Sequence, residues 1–345
     1  MQIQTSACDL CKCLICTREF GDTLNTLARS IAHGLSAKGC SIELLNRKAH
    51  LLETAALYGI GAEFLNSEEG PFREKRLAAD SHVLRGETSS SIIETGGEEE
   101  GIRSVLSVPL PSERGVTGVI RVYLEEAREF TREETEKALF FASMGGMLAE
   151  KAKAWDRMRA LAGTARSVSG TLSLDEVLRQ IAEAAATGLD ATAASIWLSD
   201  SEHKKLSIRT AYGLSSRYAA REAVSIEDSP IDEECMRCNI VSIPDISLDP
   251  RVTDREALAL EGVFYALLSV PLAVKGSVLG VLKVYMPYPY DFSPGDMEFA
   301  NGLSCQGAIA IENARLFEHI KREYDELQKD VWKWYDWGER FPKRL

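Results

Sequence analysis

The densest group of chemically reactive side chains in this sequence is a set of four cysteines near the N-terminus. Cys8, Cys11, Cys13 and Cys16 follow the spacing C-x2-C-x-C-x2-C, which places four thiols within nine residues. Soft sulfur ligands select Zn or an iron–sulfur cluster over Mg or Ca. The single residue between Cys11 and Cys13 is tight for one zinc knuckle, so the motif is expected to bind a cluster, or two chains are expected to share sites across a dimer. An iron–sulfur cluster is slightly favoured over Zn. An unmetallated reactive tail is the alternative.

Cys235 and Cys238 form a second C-x2-C pair, far from the first cluster. Two thiols at positions i and i+3 near a helix start can share a lowered pKa, which makes this pair a candidate redox centre. The alternative is that both are small side chains packed in a short helix. The remaining cysteines, Cys40 and Cys305, are expected to fill ordinary small core positions. Clustered cysteines differ from the spread disulfides of secreted proteins and favour metal or redox chemistry.

The composition limits the class of protein. The 345 residues carry 40 basic and 52 acidic side chains, which gives a net charge of −12. This acidity argues against nucleic-acid binding, which needs a basic face to neutralise phosphates. No apolar run reaches the ~18 residues of a membrane span, and the N-terminus lacks the apolar stretch of a signal peptide. The expected location is therefore the cytoplasm, with no membrane span and no nucleic-acid partner.

The elements that must position these side chains occur twice along the chain. Two segments recur at an offset of 268 − 106 = 162, and a third recurs at an offset of 212 − 58 = 154. The pairs are Leu106–Leu110 with Leu268–Leu272, Gly118–Tyr123 with Gly280–Tyr285, and Tyr58-Gly59 with Tyr212-Gly213. An internal repeat of this length predicts two related domains. The difference between the two offsets indicates a net insertion in the middle of the second copy.

The repeat predicts five segments. A Cys-rich segment (1–19) precedes the first domain (20–150), and a linker helix (151–165) leads to the second domain (166–315). A coiled-coil helix with a Trp-rich tail (316–345) follows the second domain. This organisation agrees with the length of the chain, which exceeds what one compact core usually carries.

Each copy is predicted to contain an antiparallel sheet between an opening and a closing helix. The strands Val105–Pro109 and Gly118–Tyr123 are close enough in sequence to form a hairpin. Ser173-x-x-Glu176 is a capping box for an opening helix, whereas Thr131-x-x-Glu134 and Ser293-Pro294-x-Asp296 are start signals for the closing helices. The predicted fold class is therefore α+β, with each sheet flanked by helices.

Both copies resemble the GAF domain family. The resemblance rests on the xSVPL…G-V-[IL]-x-V-Y hairpin, on the Tyr-Gly step after the second strand, and on the [FY]-[ST]-x-x-[ED] start of the last helix. GAF domains typically bind a small molecule between the sheet and short middle helices, and they pass a change along their terminal helices. The resemblance implies such a pocket without naming its ligand, because GAF domains serve many functions.

The sequence departs from three ligand-specific GAF subfamilies. Neither copy has the N-K-x-F-x3-D-E pattern of cyclic-nucleotide binders, and no Cys-His pair is present to attach a bilin. Free methionine sulfoxide reductases are single-GAF enzymes with cysteines in the middle loops. Cys235 and Cys238 match that feature in the second copy, but Val83 and Gly86 occupy the equivalent places, at an offset of 152, in the first.

The last helix carries two features that indicate protein partners. Its apolar seam steps by three and four residues through Ala310, Asn313, Phe317, Ile320, Tyr324, Leu327, Val331 and Trp334. A coiled-coil seam of this kind needs a partner helix, and the simplest partner is the same helix of a second chain. The aromatic residues Trp332, Trp334, Tyr335 and Trp337 suit docking of a separate protein. Packing of this tail on its own domains is the alternative.

The preferred hypothesis is a non-catalytic sensory or regulatory protein. It would be a dimer of tandem GAF chains with a Cys-ligated iron–sulfur or Zn centre, and it would act through a separate protein. No catalytic residues are predicted, and no phosphate-binding Gly-rich loop occurs. One alternative is an accessory, electron-transfer or scaffold subunit of a redox complex. The other is a thiol enzyme similar to methionine sulfoxide reductases that uses Cys235 and Cys238.

Overall fold

A computed structural model describes residues 20–46, 51–66, 79–92, 101–112, 115–169, 173–253 and 264–339, the side chains only as far as residue 328. The chain divides into two compact units, Met1–Trp155 and Asp156–Leu345. In the described part of the chain, no helix is both long and apolar enough to cross a membrane. Each unit consists of one antiparallel sheet with helices, which confirms the predicted α+β class.

The first unit contains a five-stranded sheet. Its elements are α1 (Phe20–Gly34), β1 (Gly39–Asn46), β2 (Leu51–Tyr58), α2 (Ala62–Asn66), β3 (Ser89–Ile92), β4 (Ser104–Ser112), β5 (Gly115–Leu124) and the start of α3 (Arg132–Ser169). Residues 79–83 are also helical. The strand order is β2-β1-β5-β4-β3, and every pair is antiparallel. The predicted hairpin is therefore formed by β4 and β5.

The second unit repeats this order with one additional edge strand. Its elements are the end of α3, then α4 (Leu174–Gly188), β6 (Ala193–Ser199), β7 (Lys205–Tyr212), α5 (Ser216–Ala219), β8 (Val224–Ser225), α6 (Pro230–Met236), β9 (Val241–Ile243), β10 (Ala266–Val274), β11 (Ser277–Met286) and α7 (Pro294–Glu339). The strand order is β8-β7-β6-β11-β10-β9. The short strand β8 was not predicted.

The sheet of the second unit buries both of its faces. Neighbouring residues on β6 show the alternation, since Ile196 packs with α4 and α7 while Trp197 faces α5 and α6. On β11, Val284 lies in the first core and Tyr285 in the second. The face under α5 and α6 therefore holds large aromatic side chains, and it is the face on which the candidate site lies.

The predicted capping signals form as expected. The Thr131 and Glu134 pair is reciprocal, because the Thr131 N–H donates to Glu134 Oε2 over 2.8 Å and the Glu134 N–H donates to Thr131 Oγ1 over 3.2 Å. At the start of α7, the buried Asp296 accepts from the Ser293 N–H and from Arg157. Ser173 accepts from the Glu176 N–H at the start of α4.

The glycine of each Tyr-Gly step is required by the backbone. Gly59 and Gly213 have φ of +74° and +72°, a region that other residues rarely adopt. A Cβ at either position would also overlap a carbonyl oxygen, that of Lys38 in the first unit and that of Thr192 in the second. The repeated motif thus reflects a tight chain crossing at the end of β2 and of β7.

The two isolated cysteines lie in different environments. Cys40 is buried as expected, but the expectation of a core position for Cys305 is wrong, because its residue is exposed on α7. The reason is the helical period, which turns Cys305 outward while Ser304 and Leu303 face the core. Residues 151–165 lie inside the continuous helix α3.

Candidate functional site

A small cavity of about 50 Å³ lies in the second unit, between the sheet and the short middle helices. Its aromatic and apolar wall is formed by Trp197, Tyr218, Val224, Ile231, Val252, Leu267 and Tyr285. Its polar wall is formed by Arg221, Ser229, Asp232, Arg251, Thr253 and Lys283. A mostly apolar concave site with a few converging charged groups is the usual form of a small-molecule site.

The central charged pair of the cavity is Lys283 with Asp232. Lys283 lies in the middle of β11, and its Nζ is 2.8 Å and 2.9 Å from the two carboxylate oxygens of Asp232 on α6. The same Nζ lies 4.8 Å from the centroid of the Trp197 ring, a cation–π distance. The two side chains are only 12% and 4% exposed, so this charge pair is held in a largely dry environment.

A chain of hydroxyl and indole groups fixes the aromatic wall. Trp197 Nε1 donates to Ser195 Oγ over 2.9 Å, and Ser195 Oγ is 3.1 Å from Tyr285 Oη. Tyr218 meets both Trp197 and Tyr285 edge to face. Burial raises the pKa of Tyr218 and of Tyr285, so both phenols stay neutral over the physiological range. The rings therefore form a rigid, uncharged wall.

Two arginines complete the polar wall. The Arg221 guanidinium lies 4.8 Å from the centroid of Tyr218 and 5.7 Å from that of Trp197. Arg251 is held by Asp249, at 2.8 Å, and by Glu234, at 3.0 Å. The hydrogen bonds to Asp249 are the main cause that raises the pKa of Arg251. Both acids contact Arg251 without lining the cavity, so they orient the guanidinium.

The first unit contains the same arrangement with different charges. Arg121 on β5 occupies the place of Lys283 at the offset of 162, and it forms ion pairs with both Glu43 and Asp80. Glu43 stands at the place of Trp197, and Asp80 at that of Asp232. Arg121 and Glu43 are 1% and 2% exposed.

The surroundings of the two cations also match. Ser41 Oγ lies 2.9 Å from Tyr123 Oη, as Ser195 Oγ lies 3.1 Å from Tyr285 Oη, and Phe64 meets Tyr123 edge to face. Burial by itself would lower the pKa of Arg121. The Coulomb attraction of Glu43 is the largest of the effects that raise it instead. Both sites thus contain a buried strand cation that is paired with a carboxylate and lies beside a Ser–Tyr hydroxyl pair.

The sequence analysis did not single out Lys283 or Arg121. The sequence did contain a sign of both residues, because each is the cation at position x of the otherwise apolar strand motif G-V-[IL]-x-V-Y. A charge in a buried strand requires a partner, but the partners lie 51 and 41 residues away. Local patterns do not identify such distant partners.

The predicted cysteine sites fall into two groups. Cys8, Cys11, Cys13 and Cys16 lie outside the described residues. Within the described part of the chain, no three Cys, His, Asp or Glu side chains are grouped to hold a metal ion.

The aromatic residues predicted to dock a partner, Trp332, Trp334, Tyr335 and Trp337, lie in the last turns of α7, and their side chains are not among those that the structure describes.

Cys235 and Cys238 lie at the end of α6, and both thiols are free. Cys235 is fully buried, and burial raises its thiol pKa, which disfavours the reactive thiolate. Cys238 is exposed and has a φ of +70°. In the first unit, the buried Val83 and the positive-φ Gly86 stand at these two places. The redox role of the pair stays a prediction.

Comparison with known proteins assigns part of the chain. Residues 171–312 match the family model described as GAF domain. The formate hydrogenlyase transcriptional activator of Salmonella typhimurium is 20% identical over 238 residues, which are 64% of this chain and 34% of that protein. The chain thus spans about a third of the length of the curated relatives it matches.

Solved structures similar to this chain include two proteins of different kinds. The GAF domain of a phosphoenolpyruvate-protein phosphotransferase from Coxiella burnetii is 21% identical, with a TM-score of 0.44, and covers 48% of this chain and 98% of that one. A free methionine-R-sulfoxide reductase from Neisseria meningitidis is 15% identical, with a TM-score of 0.40, and covers 46% of this chain and 90% of that one.

The matched segment coincides with the elements that form the cavity. It begins just before α4, includes the whole sheet of the second unit, and ends within α7. All the residues that line the cavity lie inside it. Residues 171–312 therefore form a GAF domain, a fold of sensory and regulatory proteins.

Proposed function

We propose that this chain is a non-catalytic sensory or regulatory protein with two GAF domains, one in each unit. The observation that carries the proposal is the small cavity with its buried Lys283–Asp232 pair inside the segment that matches the GAF family. A GAF domain in the first unit is supported by its strand order, which equals that of the second unit without β8. It is supported further by Arg121 at the place of Lys283.

The proposed assembly is a cytoplasmic homodimer that acts through a separate protein. Four apolar residues of the predicted seam, Phe317, Ile320, Tyr324 and Leu327, are each more than 60% exposed on α7. A stripe of exposed apolar side chains at heptad spacing is favourable only when a partner helix covers it. The partner is a second copy of the same helix. The Trp-rich end of α7 would then dock the output protein.

The proposal includes a metal centre at Cys8, Cys11, Cys13 and Cys16, either an iron–sulfur cluster or Zn. Its support is the ligand type and spacing in the sequence. Four thiolates would satisfy either group, and the role differs with the metal. A cluster would link the protein to redox state or oxygen, whereas Zn would serve as a structural clip.

A regulatory role is favoured over catalysis by two observations. The similar Salmonella typhimurium protein is a transcriptional activator, although this chain spans only about a third of it. The thiol of Cys235 is buried and its pKa is raised, which opposes its use as a nucleophile. A methionine sulfoxide reductase-like activity is therefore the less favoured proposal.

The experiment that tests the proposal is a small-metabolite screen on the full chain purified without oxygen. Thermal unfolding would identify compounds that bind, and hydrogen exchange would follow α3 and α7 after their addition. We expect at least one compound that raises the melting temperature, changes exchange along a terminal helix and is recovered unchanged. Turnover of a compound would contradict the non-catalytic proposal, and indifference to every compound would contradict sensing.

A further inference from the structure

We propose that the cavity of the second unit binds a compact oxyanion, a small carboxylate or an inorganic oxyanion, with Lys283 as its main charged contact. The inference rests on the proposed sensory function, because it names the ligand class of that same domain. It also assigns sensing to the second unit, since the first unit pairs the equivalent cation with two carboxylates of its own.

The first step is the comparison of the two buried cations. Arg121 is enclosed by two carboxylates, those of Glu43 and Asp80. Lys283 has one carboxylate, that of Asp232, and faces the ring of Trp197 where Glu43 would stand. The second unit therefore presents one negative group fewer to its buried cation. An external anion can supply the charge that Glu43 supplies in the first unit.

The second step is the charge of the cavity wall. Among the described residues that line it, Lys283, Arg221 and Arg251 are cationic and Asp232 is the one anionic residue. Asp249 and Glu234 neutralise part of the Arg251 charge from outside the wall. Cations that converge in a poorly solvated site favour an anionic ligand, because charge-assisted hydrogen bonds there are strong. The acids behind Arg251 keep its guanidinium in position for such bonds.

The third step is the size of the cavity. A dry cavity of about 150 Å³ accepts benzene, whereas this cavity is about 50 Å³. The space therefore suits a ligand of roughly three to five non-hydrogen atoms, such as a short carboxylate or a tetrahedral oxyanion. The aromatic and apolar side chains around the charged groups would keep water from competing with the anion.

The test is calorimetric titration of the full chain at constant ionic strength. One arm uses sodium formate and sodium acetate, a second uses phosphate and nitrate, and a third uses the neutral isosteres formamide and acetamide. We expect saturable binding in the first or the second arm, and these two arms distinguish the carboxylate from the inorganic source. We expect binding at least about tenfold weaker in the third, a difference of about 1.4 kcal/mol.

Variants locate the binding. Lys283→Gln should weaken anion binding by about tenfold or more, which corresponds to one charge-assisted contact. Arg221→Gln should weaken it as well and leaves the buried Lys283–Asp232 pair in place, so it covers the case in which Lys283→Gln fails to fold. Arg209→Gln is the matched control, because it removes one positive charge from an exposed ion pair with Asp175 in the same unit.

A site-specific signal comes from 5-fluorotryptophan and fluorine NMR. The chain has five tryptophans, and Trp197 lies in the cavity wall. Trp197→Phe assigns its resonance, which should shift on anion addition while that of Trp155 does not. Equal binding of the neutral isosteres, equal losses in Lys283→Gln and Arg209→Gln, or a Trp197 resonance that no anion moves would each overturn the inference. A neutral ligand that shifts the Trp197 resonance would also overturn the oxyanion inference, but it would leave the proposed sensory function intact.

Discussion

At the residue scale, the same strand position carries a buried cation in both units, and its partners determine what the site can do. Removing one partner of a buried ion pair typically costs about 3–5 kcal/mol, so neither cation could remain without a carboxylate. Arg121 has two, and its side chain is only 1% exposed. Lys283 has one carboxylate and an aromatic ring, and its site borders a cavity.

Cys238 provides a residue-scale test of the redox interpretation. It has a φ of +70°, whereas Gly86 holds the equivalent place in the first unit with a φ of +91°. A non-glycine residue in this region costs about 1–2 kcal/mol. We therefore expect Cys238→Gly to raise the free energy of unfolding by about 1 kcal/mol. Urea denaturation under reducing conditions measures this change.

The matched control for that prediction is Cys238→Ala, which removes the sulfur and keeps the strained backbone. It should leave the stability within about 0.5 kcal/mol of the natural chain, as surface substitutions usually do. If Cys238→Ala were instead clearly less stable than the natural chain, the thiol itself would contribute to the fold. That result would favour a bond or ligand at Cys238 and hence the redox pair.

At the element scale, the start of α3 couples stability to pH through Glu134. Its pKa is lowered from 4.5 to about 2, first by the hydrogen bonds from Arg128 and then by those from Thr131. A carboxyl with a depressed folded pKa contributes stability above its unfolded pKa and loses it as the pH falls through the folded pKa. This contribution is therefore lost between about pH 4.5 and pH 2.

Glu134→Gln should remove this part of the acid sensitivity. We expect the variant to be about 1 kcal/mol less stable at neutral pH, because it loses the charged half of the capping box. The difference from the natural chain should shrink as the pH falls from 4.5 towards 2. Glu136→Gln, which alters an exposed pair with Arg132, is the control and should change little. A difference that stays constant with pH would contradict the assignment.

The exposed seam on α7 makes the second element-scale prediction. Ile320→Ser combined with Leu327→Ser should weaken the proposed dimer, because each removes an apolar side chain more than 60% exposed in the single chain. Light scattering should then give a mass near 38.0 kDa, compared with about twice that for the natural chain. Lys321→Ser with Gln328→Ser alters the adjacent positions and should leave the dimer intact. A natural chain at 38.0 kDa would refute the dimer itself.

The elements were predictable to the extent that their signals are local. The hairpins, the capping boxes and the Tyr-Gly steps follow from spacing within a few residues, and the structure confirms them. The cavity depends on Lys283 and Asp232, which lie 51 residues apart, and no local period joins them. The short strand β8 escaped prediction for the same reason, since tertiary packing decides it. The exposure of Cys305, in contrast, follows from the helical period and could have been predicted.

At the scale of the whole molecule, the repeat combines similar frames with different sites. Both units keep the strand order and the aromatic-hydroxyl network around the central cation. One difference between the two sites lies on β1 and β6, where Glu43 in the first unit corresponds to Trp197 in the second. The two units thus surround their buried cations with different side chains, two carboxylates in the first and a carboxylate with an aromatic ring in the second.

The last prediction concerns the N-terminal cysteines, whose chemistry decides between the regulatory protein and the redox-complex subunit. Anaerobically purified chain should contain iron with acid-labile sulfide, or Zn, because four thiolates within nine residues bind either tightly. Replacing Cys11 and Cys13 by Ser should remove the metal, whereas replacing Cys235 and Cys238 should not. Iron with sulfide and a reversible potential would favour the electron-transfer subunit or a redox sensor. Zn would favour a structural clip and leave the oxyanion cavity as the input, and less than about a tenth of an equivalent of either metal would refute the centre.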